Sequence, residues 1–322
     1  MIDFVINTAG ASGYAVRTWQ RVEKQIRGRC EYRIHRSGEG KTVEELCREL
    51  SSTGEEVTIV IIGGDGSMND AVNGITDFEH TRLGLIPSGS GNDLAKDLGL
   101  PKKPEEQLER ILAGEERLAD IGEVIFHTES EEMDPVRKTV TVKPDPHEIV
   151  RRFNISCGLG FDAAICAEVE MSRTKEILNK VHLGKLCYIA EAIHTIAETK
   201  RVPVTVCFDG MSTVNLPGCL FIAGMNHRYE GGGFQFCPDA KDDDGLLEFC
   251  AGNNVSQFDF YRIFPYAYSG SHVKFRGVHL YQAKSAEIRS DIPLWVHTDG
   301  EIRYKSNHIT MRIADEKLRL IV

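Results

Sequence analysis

A glycine-rich turn with one acid in it holds the residues best suited to chemistry. An apolar, largely β-branched run at 57–62 ends in Gly63-Gly64-Asp65-Gly66-Ser67, and a helical pattern follows at once. Glycines let backbone N–H groups approach phosphate oxygens, and α/β proteins bind phosphate where a buried strand turns into a helix. Asp65 would repel a bare phosphate, but Mg²⁺ favours carboxylate and phosphate oxygens together. The turn therefore predicts a phosphate site that uses a metal ion. The alternative is an ordinary Asp-Gly turn, although a hairpin would need a strand after it.

A second loop of similar character follows the next predicted strand. In residues 87–95 (PSGSGNDLA), Ser90 can donate to a phosphate, and Asn92 or Asp93 can cap the helix that begins there. Alone, the segment is also a generic Ser/Gly loop. Two such loops after neighbouring parallel strands would face one crevice, which favours a binding site.

The segment 37–40 (SGEG) could bring the hydroxyl of Ser37 to a nucleotide. Its continuation through Thr42 looks like the end of a P-loop. The Walker pattern needs a glycine five residues before Gly40, and His35 stands there. The segment is therefore not a Walker motif.

Acidic residues in the second half form further candidates. Residues 242–244 are three aspartates that close on a predicted strand. They predict either a solvated turn or a hard-cation site built from carboxylate and backbone carbonyls. Residues 299–301 (DGE) follow a strand-like run and are, by pattern, a hairpin turn. Taken alone, neither Glu301 nor Asp120 carries a prediction of catalysis.

The elements that must position these residues follow from the apolar pattern. In the first third, strand-like runs at 2–6, 57–62 and 83–86 alternate with helix-like stripes. This alternation predicts an α/β domain with a doubly wound parallel sheet.

The pattern changes near Asp120. Residues 127–150 are charged and contain proline, and they predict an extended hairpin or a mobile loop. Helical segments are predicted near 175–199 and 255–264. Short strand-like runs otherwise dominate and predict an all-β domain, an antiparallel β-sandwich; they lie at 204–208, 219–223, 246–250, 278–282, 286–289 and 294–297.

Composition fits a cytoplasmic globular protein. The 322 residues predict two domains, and no apolar stretch approaches the roughly 20 residues of a membrane span. The N-terminus lacks the regions of a signal peptide. A net charge of −10 argues against nucleic-acid binding and against wholly electrostatic attachment to anionic lipid. Nine scattered cysteines without a C-x-x-C pair indicate reduced thiols rather than disulfides or a zinc ribbon.

Taken in order, the motifs resemble those of the diacylglycerol kinase catalytic family, particularly bacterial soluble lipid kinases that are also similar to sphingosine kinases. The resemblance spans nearly the whole chain, and the order of the motifs is more specific than any single one. It rests on GGDGSMND at 63–70, PSGSGNDLA at 87–95, NISCGLGFDA at 154–163, PDAKDDDGLLEF at 238–249 and TDGE at 298–301.

The sequence departs from the family's pattern at a few positions. Thr8 stands where the first turn of the family usually has proline. Ser37, Ser67 and Ser90 stand where threonine is frequent. Because serine keeps the hydroxyl group, these exchanges should preserve the hydrogen bonds.

The resemblance implies two domains with ATP in the cleft between them. A nucleotide-binding α/β domain like those of NAD kinases and diacylglycerol kinases would cover 1–122, completed by 305–322. A β-sandwich lipid-substrate domain would cover 123–304. The residues implied at the nucleotide are Ser37, Gly63, Gly64, Asp65, Gly66, Ser67, Met68, Asn69, Ser90, Asn92 and Asp93.

The resemblance also implies roles for acids and a metal. Glu301 would be the general base, and Asp65 and Asp120 would belong to an acidic network linked to Mg²⁺. A structural magnesium site would use Asp244 with two backbone carbonyls, those of Lys241 and Leu246.

The implied acceptor is a lipid, most plainly diacylglycerol, which would give phosphatidic acid. A prenol, a sphingoid base, ceramide or another glycerolipid could offer the same hydroxyl. The enzyme would then work peripherally at a membrane surface. Basic and apolar residues intermingle at 173–201, and this segment predicts either bilayer contact or a helix packed on its own domain. The sequence leaves open whether the protein forms a homodimer.

Three other functions compete with the lipid kinase. An NAD kinase-like enzyme is one, since that related fold also uses a GGDG turn; the 87–95 motif and the acidic DGLL cluster favour the lipid branch. A non-catalytic nucleotide sensor is another, but it has no need of Asp65, Asp120 and Glu301. A lipid-carrying or adaptor protein would have no use for the glycine-acid turn.

Overall fold

The computed structural model describes residues 1–8, 13–38, 40–127, 130–134, 139–143, 149–171 and 199–322. They form two compact units, Met1–Ile121 with Asp315–Val322, and Gly122–Ala314. The helix predicted near 175–199 and nearly all of the basic segment 173–201 lie outside the described residues.

Strands and helices alternate along the first unit, as the apolar pattern predicts. Its elements are β1 (Ile2–Ile6), α1 (Tyr14–Ile26), β2 (Tyr32–Arg36), α2 (Val43–Ser51), β3 (Val57–Gly63), α3 (Asp65–Gly74), β4 (Thr81–Pro87), α4 (Asp93–Asp97), α5 (Pro104–Ala113) and β5 (Glu116–Phe126), which runs on into the second unit.

Strands dominate the rest of the chain. They are β6 (Ser130–Asp134), β7 (Thr139–Lys143), β8 (Ile149–Phe153), β9 (Ser156–Gly160), β10 (Val202–Phe208), β11 (Ser212–Met225), β12 (Tyr229–Glu230), β13 (Phe234–Gln235), β14 (Leu247–Asn253), β15 (Val278–Ala283), β16 (Ser285–Thr298) and β17 (Glu301–Ile321). The described helices among them are α6 (Phe161–Met171), α7 (Gln257–Ile263) and the 3₁₀ helices Phe264–Ser269 and Ser271–Lys274.

The sheet of the first unit is parallel, in the order β2-β1-β3-β4. The end of β17 adds a further parallel strand beside β4, through Arg319 and Leu320. Strand β3 is buried along its whole length, as expected of a strand covered on both faces. All four carboxyl ends therefore lie along one edge of the sheet, where the glycine loops also begin.

Helices cover both faces of this sheet. Trp19 and Val22 of α1 and Leu108 of α5 pack with Phe4 and Ile6 of β1 in one apolar cluster. Helices α2 and α3 pack together elsewhere in the unit. Their approach is so close that a Cβ at Gly74 would lie 2.2 Å from the carbonyl oxygen of Glu44.

The second unit is built on antiparallel pairs, in the order β15-β14-β11-β10-β16-β17, with β9 paired to both β11 and β16. One apolar cluster runs through these strands and includes Ile222, Phe249, Ile288, Val296 and Met311. Strands β6 and β7 form an antiparallel pair. The described part of 127–150 is thus an extended hairpin, one of the two alternatives that the sequence predicted.

One strand prediction needs correction. The sequence indicated separate strands at 286–289 and 294–297, but β16 is continuous from Ser285 to Thr298. Its register against β17 shifts between Arg289 and Leu294, so the polar interruption is an irregularity within one strand rather than a turn.

Candidate active site

Two glycine loops of the first unit pack backbone against backbone. Ser88 N–H donates to the carbonyl oxygen of Gly63 at 2.7 Å. A Cβ at Gly64 would lie 2.9 Å from Cα of Gly89, and a Cβ at Gly63 would lie 2.3 Å from Oγ of Ser67. Neither position of the 63–67 turn has room for a side chain. The bare backbone that a phosphate cradle needs is therefore present.

Asp65 joins the two loops. Its Oδ2 accepts the N–H of Asp93 at 3.1 Å, and its Oδ1 accepts the N–H of Leu94 at 3.2 Å. These are the first N–H groups of helix α4, which favour a negative charge. Asp65 therefore has a structural role in the glycine-rich turn, because it bonds the start of helix α4.

The predicted side-chain cap of α4 by Asn92 is wrong, and Asp93, the other candidate, is the first residue of the helix. Asn92 occupies the cap position in the left-handed region (φ 55°) and makes no side-chain cap. Its amide instead bonds Gly89, accepting from the N–H at 2.9 Å and donating to the carbonyl at 2.8 Å. Asn92 therefore holds the shape of the loop, and the carboxylate that serves the helix comes from Asp65.

Asn7 is a site residue that sequence reasoning missed. Its Nδ2 donates to Oγ of Ser67 at 2.8 Å, and its Oδ1 accepts from Oγ of Ser37 at 3.3 Å. Ser37 Oγ also accepts the N–H of Thr8 at 3.2 Å. These bonds tie the ends of β1 and β2 to the start of α3. The available signal was a polar residue directly after the first buried strand.

The other residues predicted to contact the nucleotide differ in accessibility. Ser90 is exposed, whereas Met68 and Asn69 offer no surface to solvent. The carbonyl oxygen of Asn69 accepts from Nδ2 of Asn73 at 2.8 Å, inside helix α3. Direct contact of Met68 and Asn69 with ATP stays a prediction, which their packing does not favour.

Asp120 lies buried in β5 and forms an ion pair with Lys317 of β17. Both residues belong to the first unit. The pairing supplies the opposite charge that a buried carboxylate requires. The predicted link of Asp120 to magnesium stays a prediction.

The turn that carries Glu301 is fixed by its aspartate. Asp299 adopts a left-handed conformation (φ 52°), and its carboxylate accepts N–H groups of the segment before and into β9. The donors are Asn154 at 2.9 Å, Ile155 at 2.7 Å and Ser156 at 3.0 Å. Glu301 then begins β17 opposite Thr298. The hairpin turn expected from the sequence is present, clamped to a neighbouring strand.

A buried imidazole lies beside this turn, between two carboxylates. His297 Nε2 is 3.2 Å from Oδ2 of Asp162 and 3.3 Å from Oε1 of Glu230. On the other side of the ring, Nδ1 accepts the N–H of Gly300 at 3.2 Å. Gly158 leaves the necessary room, because a Cβ there would lie 1.9 Å from Asp162 Oδ2.

The pKa values of His297 and Glu230 are both shifted in this group. Burial alone would lower the pKa of His297, but the carboxylates of Glu230 and Asp162 raise it to about 9. Burial raises the pKa of Glu230 to about 7, against the opposing charge of His297. In the neutral ring the proton sits on Nε2, facing the carboxylates, because Nδ1 accepts from Gly300.

A cavity of about 250 Å³ opens in the second unit, on strands β9, β11 and β16. Apolar side chains supply most of its wall, and Lys200, Lys305 and Glu168 add charge. Lys305 also lies over the ring of Trp295, 4.7 Å from its centroid. The apolar lining consists of Leu159, Ala164, Val202, Cys219, Leu220, Phe221, Ile292, Pro293, Leu294 and Trp295.

Two aspartates of the acidic turn before β14 have separate partners. Asp244 is exposed, and its Oδ1 accepts the N–H of Leu246 at 3.1 Å. Asp242 lies 3.4 Å from Nε2 of the buried His227. Within the described ranges, no group of three or more His, Cys, Asp or Glu side chains could hold a metal ion. A site with one carboxylate and the carbonyls of Lys241 and Leu246 stays a prediction.

Family models match both halves of the chain. Residues 2–124 match the diacylglycerol kinase catalytic domain, and residues 156–322 match the YegS C-terminal NAD kinase beta sandwich-like domain. The chain belongs to the diacylglycerol kinase catalytic family. Membership confirms the predicted resemblance and fold class, and it supports a lipid kinase kind of function.

Curated relatives of this family align over most of the chain. "Putative lipid kinase YtlR" of Bacillus subtilis is 24% identical over 304 residues, which cover 93% of this chain and 92% of that protein. "Diacylglycerol kinase" of Mycobacterium tuberculosis is 25% identical over 245 residues, or 76% of this chain and 70% of that protein.

Solved structures agree on the fold. "A putative diacylglycerol kinase from Bacillus anthracis str. Sterne" superposes with a TM-score of 0.72 at 20% identity, covering 99% of this chain and 96% of that one. An NAD kinase from Archaeoglobus fulgidus, solved with ATP, gives 0.51 at 12% identity, covering 100% and 94%. Among the described helices, none is both long and apolar enough to cross a membrane.

Proposed function

We propose that this protein transfers the γ-phosphoryl group of ATP to the hydroxyl of a lipid, with diacylglycerol as acceptor and phosphatidic acid as product. The observation that carries the proposal is the paired glycine loops, where Gly64 and Gly89 leave no room for side chains and Asp65 joins the loops. Relatives named diacylglycerol kinase supply the acceptor class.

The first unit would bind the donor. Backbone N–H groups of 63–67 and the exposed Ser90 would contact the phosphates of ATP. Mg²⁺, when bound, would neutralise charge on the phosphates during transfer. The carboxylate of Asp65, which accepts the N–H groups of Asp93 and Leu94, would also face the hydrated cation. Asp120 would complete the acidic pair.

The second unit would handle the acceptor. Glu301 would accept the hydroxyl proton while the hydroxyl oxygen bonds to the γ-phosphorus and the bond to the bridging oxygen breaks, leaving ADP. Asp299 and His297 would hold the turn so that the Glu301 carboxylate meets the hydroxyl. The apolar cavity beside Trp295 suits part of an acyl chain, since its wall offers few hydrogen-bonding groups.

A structural Mg²⁺ at the acidic turn belongs to the same proposal. The carboxylate of Asp244 already bonds the N–H of Leu246 within this turn, and the carbonyls of Lys241 and Leu246 would complete the set of oxygen ligands. Hard cations favour such oxygen sets. Stabilisation of the wild-type protein by Mg²⁺, lost in Asp244→Ala, would support the site.

The decisive experiment supplies labelled ATP to the full-length protein with a panel of membrane lipids in mixed micelles, and with NAD in a parallel reaction. Phosphorylated diacylglycerol is the expected product. Phosphorylation of another lipid would keep the reaction and change the acceptor. Phosphorylation of NAD with every lipid left unchanged would overturn the proposal, and the fold shared with NAD kinases makes that arm necessary.

A further inference from the structure

An exposed aromatic surface surrounds helix α7 in the second unit. Phe258 is 76% exposed and Tyr266 48% exposed. Tyr261 and Arg262 lie three and four residues after Phe258, so the helix carries all three on one side. Exposed aromatic residues grouped in this way usually mark an interaction site.

The surface continues across the following 3₁₀ turns. The ring of Tyr266 lies 5.0 Å from that of Phe275, and the guanidinium of Arg262 lies 5.7 Å from the same ring. Lys274 and Arg276 flank Phe275 and are both exposed. We call Phe258, Tyr261, Arg262, Tyr266, Lys274, Phe275 and Arg276 the aromatic-basic face.

Other aromatic residues already hold α7 to the unit. The ring of Phe260 lies 4.8 Å from Phe161 and 5.0 Å from Phe264, which lies 4.7 Å from Phe234. Phe260 is buried. The outward residues of the aromatic-basic face are therefore not needed to attach the helix.

Charge distinguishes this face from the rest of the protein. Residues 256–276 contain three cations, Arg262, Lys274 and Arg276, and one anion, Asp259, which gives a local charge of +2 in a chain of −10. Asp259 pairs with Arg262 at 3.2 Å. Lys274 and Arg276 have no acidic partner among the described residues. Such a face fits an anionic surface.

The apolar cavity lies close to helix α7. Lys200 lines the cavity, and the next residue, Arg201, donates to the carbonyl oxygen of Val255 at 2.7 Å, just before α7. Gly160 lines the cavity as well, and the next residue is Phe161, which packs on Phe260. A lipid that leaves a membrane bound at the aromatic-basic face would therefore be close to the cavity.

We propose that the aromatic-basic face docks the protein on an anionic lipid bilayer. Phe258 and Tyr266 enter the headgroup region, where aromatic rings with a polar edge are favoured, while Lys274 and Arg276 neutralise lipid charge. A second copy of the chain fits less well, because the same net positive charge would meet itself. The purpose of docking rests on the proposed lipid kinase activity, but the binding test does not.

The test measures partition of the full-length protein onto vesicles by flotation. Vesicles are either phosphatidylcholine alone or equimolar phosphatidylcholine and phosphatidylglycerol. Lys274→Glu with Arg276→Glu should weaken binding to the anionic vesicles at least about 30-fold, because each basic residue beside such a surface contributes about fivefold. Phe258→Ser with Tyr266→Ser should weaken it about 10-fold or more.

Matched controls change equally exposed residues elsewhere. Met211→Ser alters a side chain that is 85% exposed, and Lys102→Glu with Lys103→Glu reverses two exposed charges. Both should bind like the wild type. Circular dichroism and Tm check that every variant folds, and Lys274→Gln with Arg276→Gln should bind at an intermediate level.

Two results would overturn the proposal. One is face variants that fold and bind anionic vesicles as the wild type does. The other is a shift from dimer to monomer in those variants with vesicle binding unchanged, which would make the face an interface between copies. Failure of the proposed function looks different, because the wild type would then bind vesicles through this face and phosphorylate no lipid. Conversely, face variants should keep wild-type activity on a short-chain diacylglycerol in detergent micelles.

Discussion

The carboxylate of Asp65 is bonded to the first residue of helix α4, where its Oδ2 accepts the backbone N–H of Asp93 at 3.1 Å. The same carboxylate accepts the N–H of Leu94, so one side chain sets the distance between the two glycine loops. A change at Asp65 should therefore alter both stability and catalysis.

Asp65→Asn should lower phosphoryl transfer at least about 100-fold and destabilise the protein by about 1–2 kcal/mol, because the amide serves the two N–H groups poorly. Activity assays and thermal unfolding measure the two effects. Asp77→Asn is the control, since Asp77 also accepts a backbone N–H, that of His80, outside the site. It should lose stability and keep activity. Full activity of Asp65→Asn in excess Mg²⁺ would contradict the metal-linked role.

Glu301→Gln should lower turnover by about 10²- to 10⁴-fold, the usual effect of losing a general base. Tm should stay near the wild-type value, because the amide preserves the shape of the turn that Asp299 clamps. Glu287→Gln removes a half-buried carboxylate of the same unit, paired with Arg289, and should leave turnover unchanged. Near-normal turnover of Glu301→Gln would remove this residue from the role of base.

Stability should fall as pH rises from neutral to about 9. The pKa of His297 is raised to about 9 in the fold, so its stabilising charge is fully present below its unfolded value near 6.5 and is lost through 9. The pKa of Glu230 is raised from 4.5 to about 7, so stability is lost to its ionisation as pH rises between those values, and this cost changes little above pH 7. The window from about 7 to 9 therefore reports His297, with an effect of roughly 1–3 kcal/mol.

His297→Gln isolates that contribution. The Tm of this variant should change little between pH 7 and pH 9, whereas the Tm of the wild type should fall by several degrees. A wild-type Tm that stays constant from pH 7 to 9 would show that His297 does not titrate there.

Gly158→Ala should destabilise the protein by roughly 2–4 kcal/mol, because its Cβ would collide with Asp162 and with His297 Nε2, which would be 2.6 Å away. Gly84→Ala is the matched control in a buried strand, where the nearest atom, of Val60, would be 3.4 Å away. Urea unfolding compares the two. If both variants lost only a small and equal amount of stability, the buried group of His297, Asp162 and Glu230 would tolerate displacement.

The sequence was sufficient for elements whose signal is local. The buried run of β3 and the glycines that end it predicted both the parallel sheet and a loop at its carboxyl edge. The motif at 87–95 predicted a neighbouring loop for the same reason. Apolar periodicity also separated the first unit from the strands that follow.

Contacts between distant segments were beyond that signal. Asp65 bonds the start of a helix that begins 28 residues later, whereas a local rule had assigned the cap to Asn92 or Asp93. The group of His297, Asp162 and Glu230 comes from three separate elements. His297 is a polar residue at the end of the apolar run 294–297, which is a weak local signal. Glu230 has no such signal, because only the tertiary fold brings it near His297.

The long strand β17 has a consequence for the timing of folding. Residues Asp315–Val322 belong to the first unit, and Arg319 anchors them there through Glu56 and Glu116. During synthesis, this segment emerges only after the whole second unit. Until then β4 has an open edge, and the parallel sheet beneath the glycine loops is incomplete. The growing chain would thus complete the sheet that carries the glycine loops only after the second unit has been made.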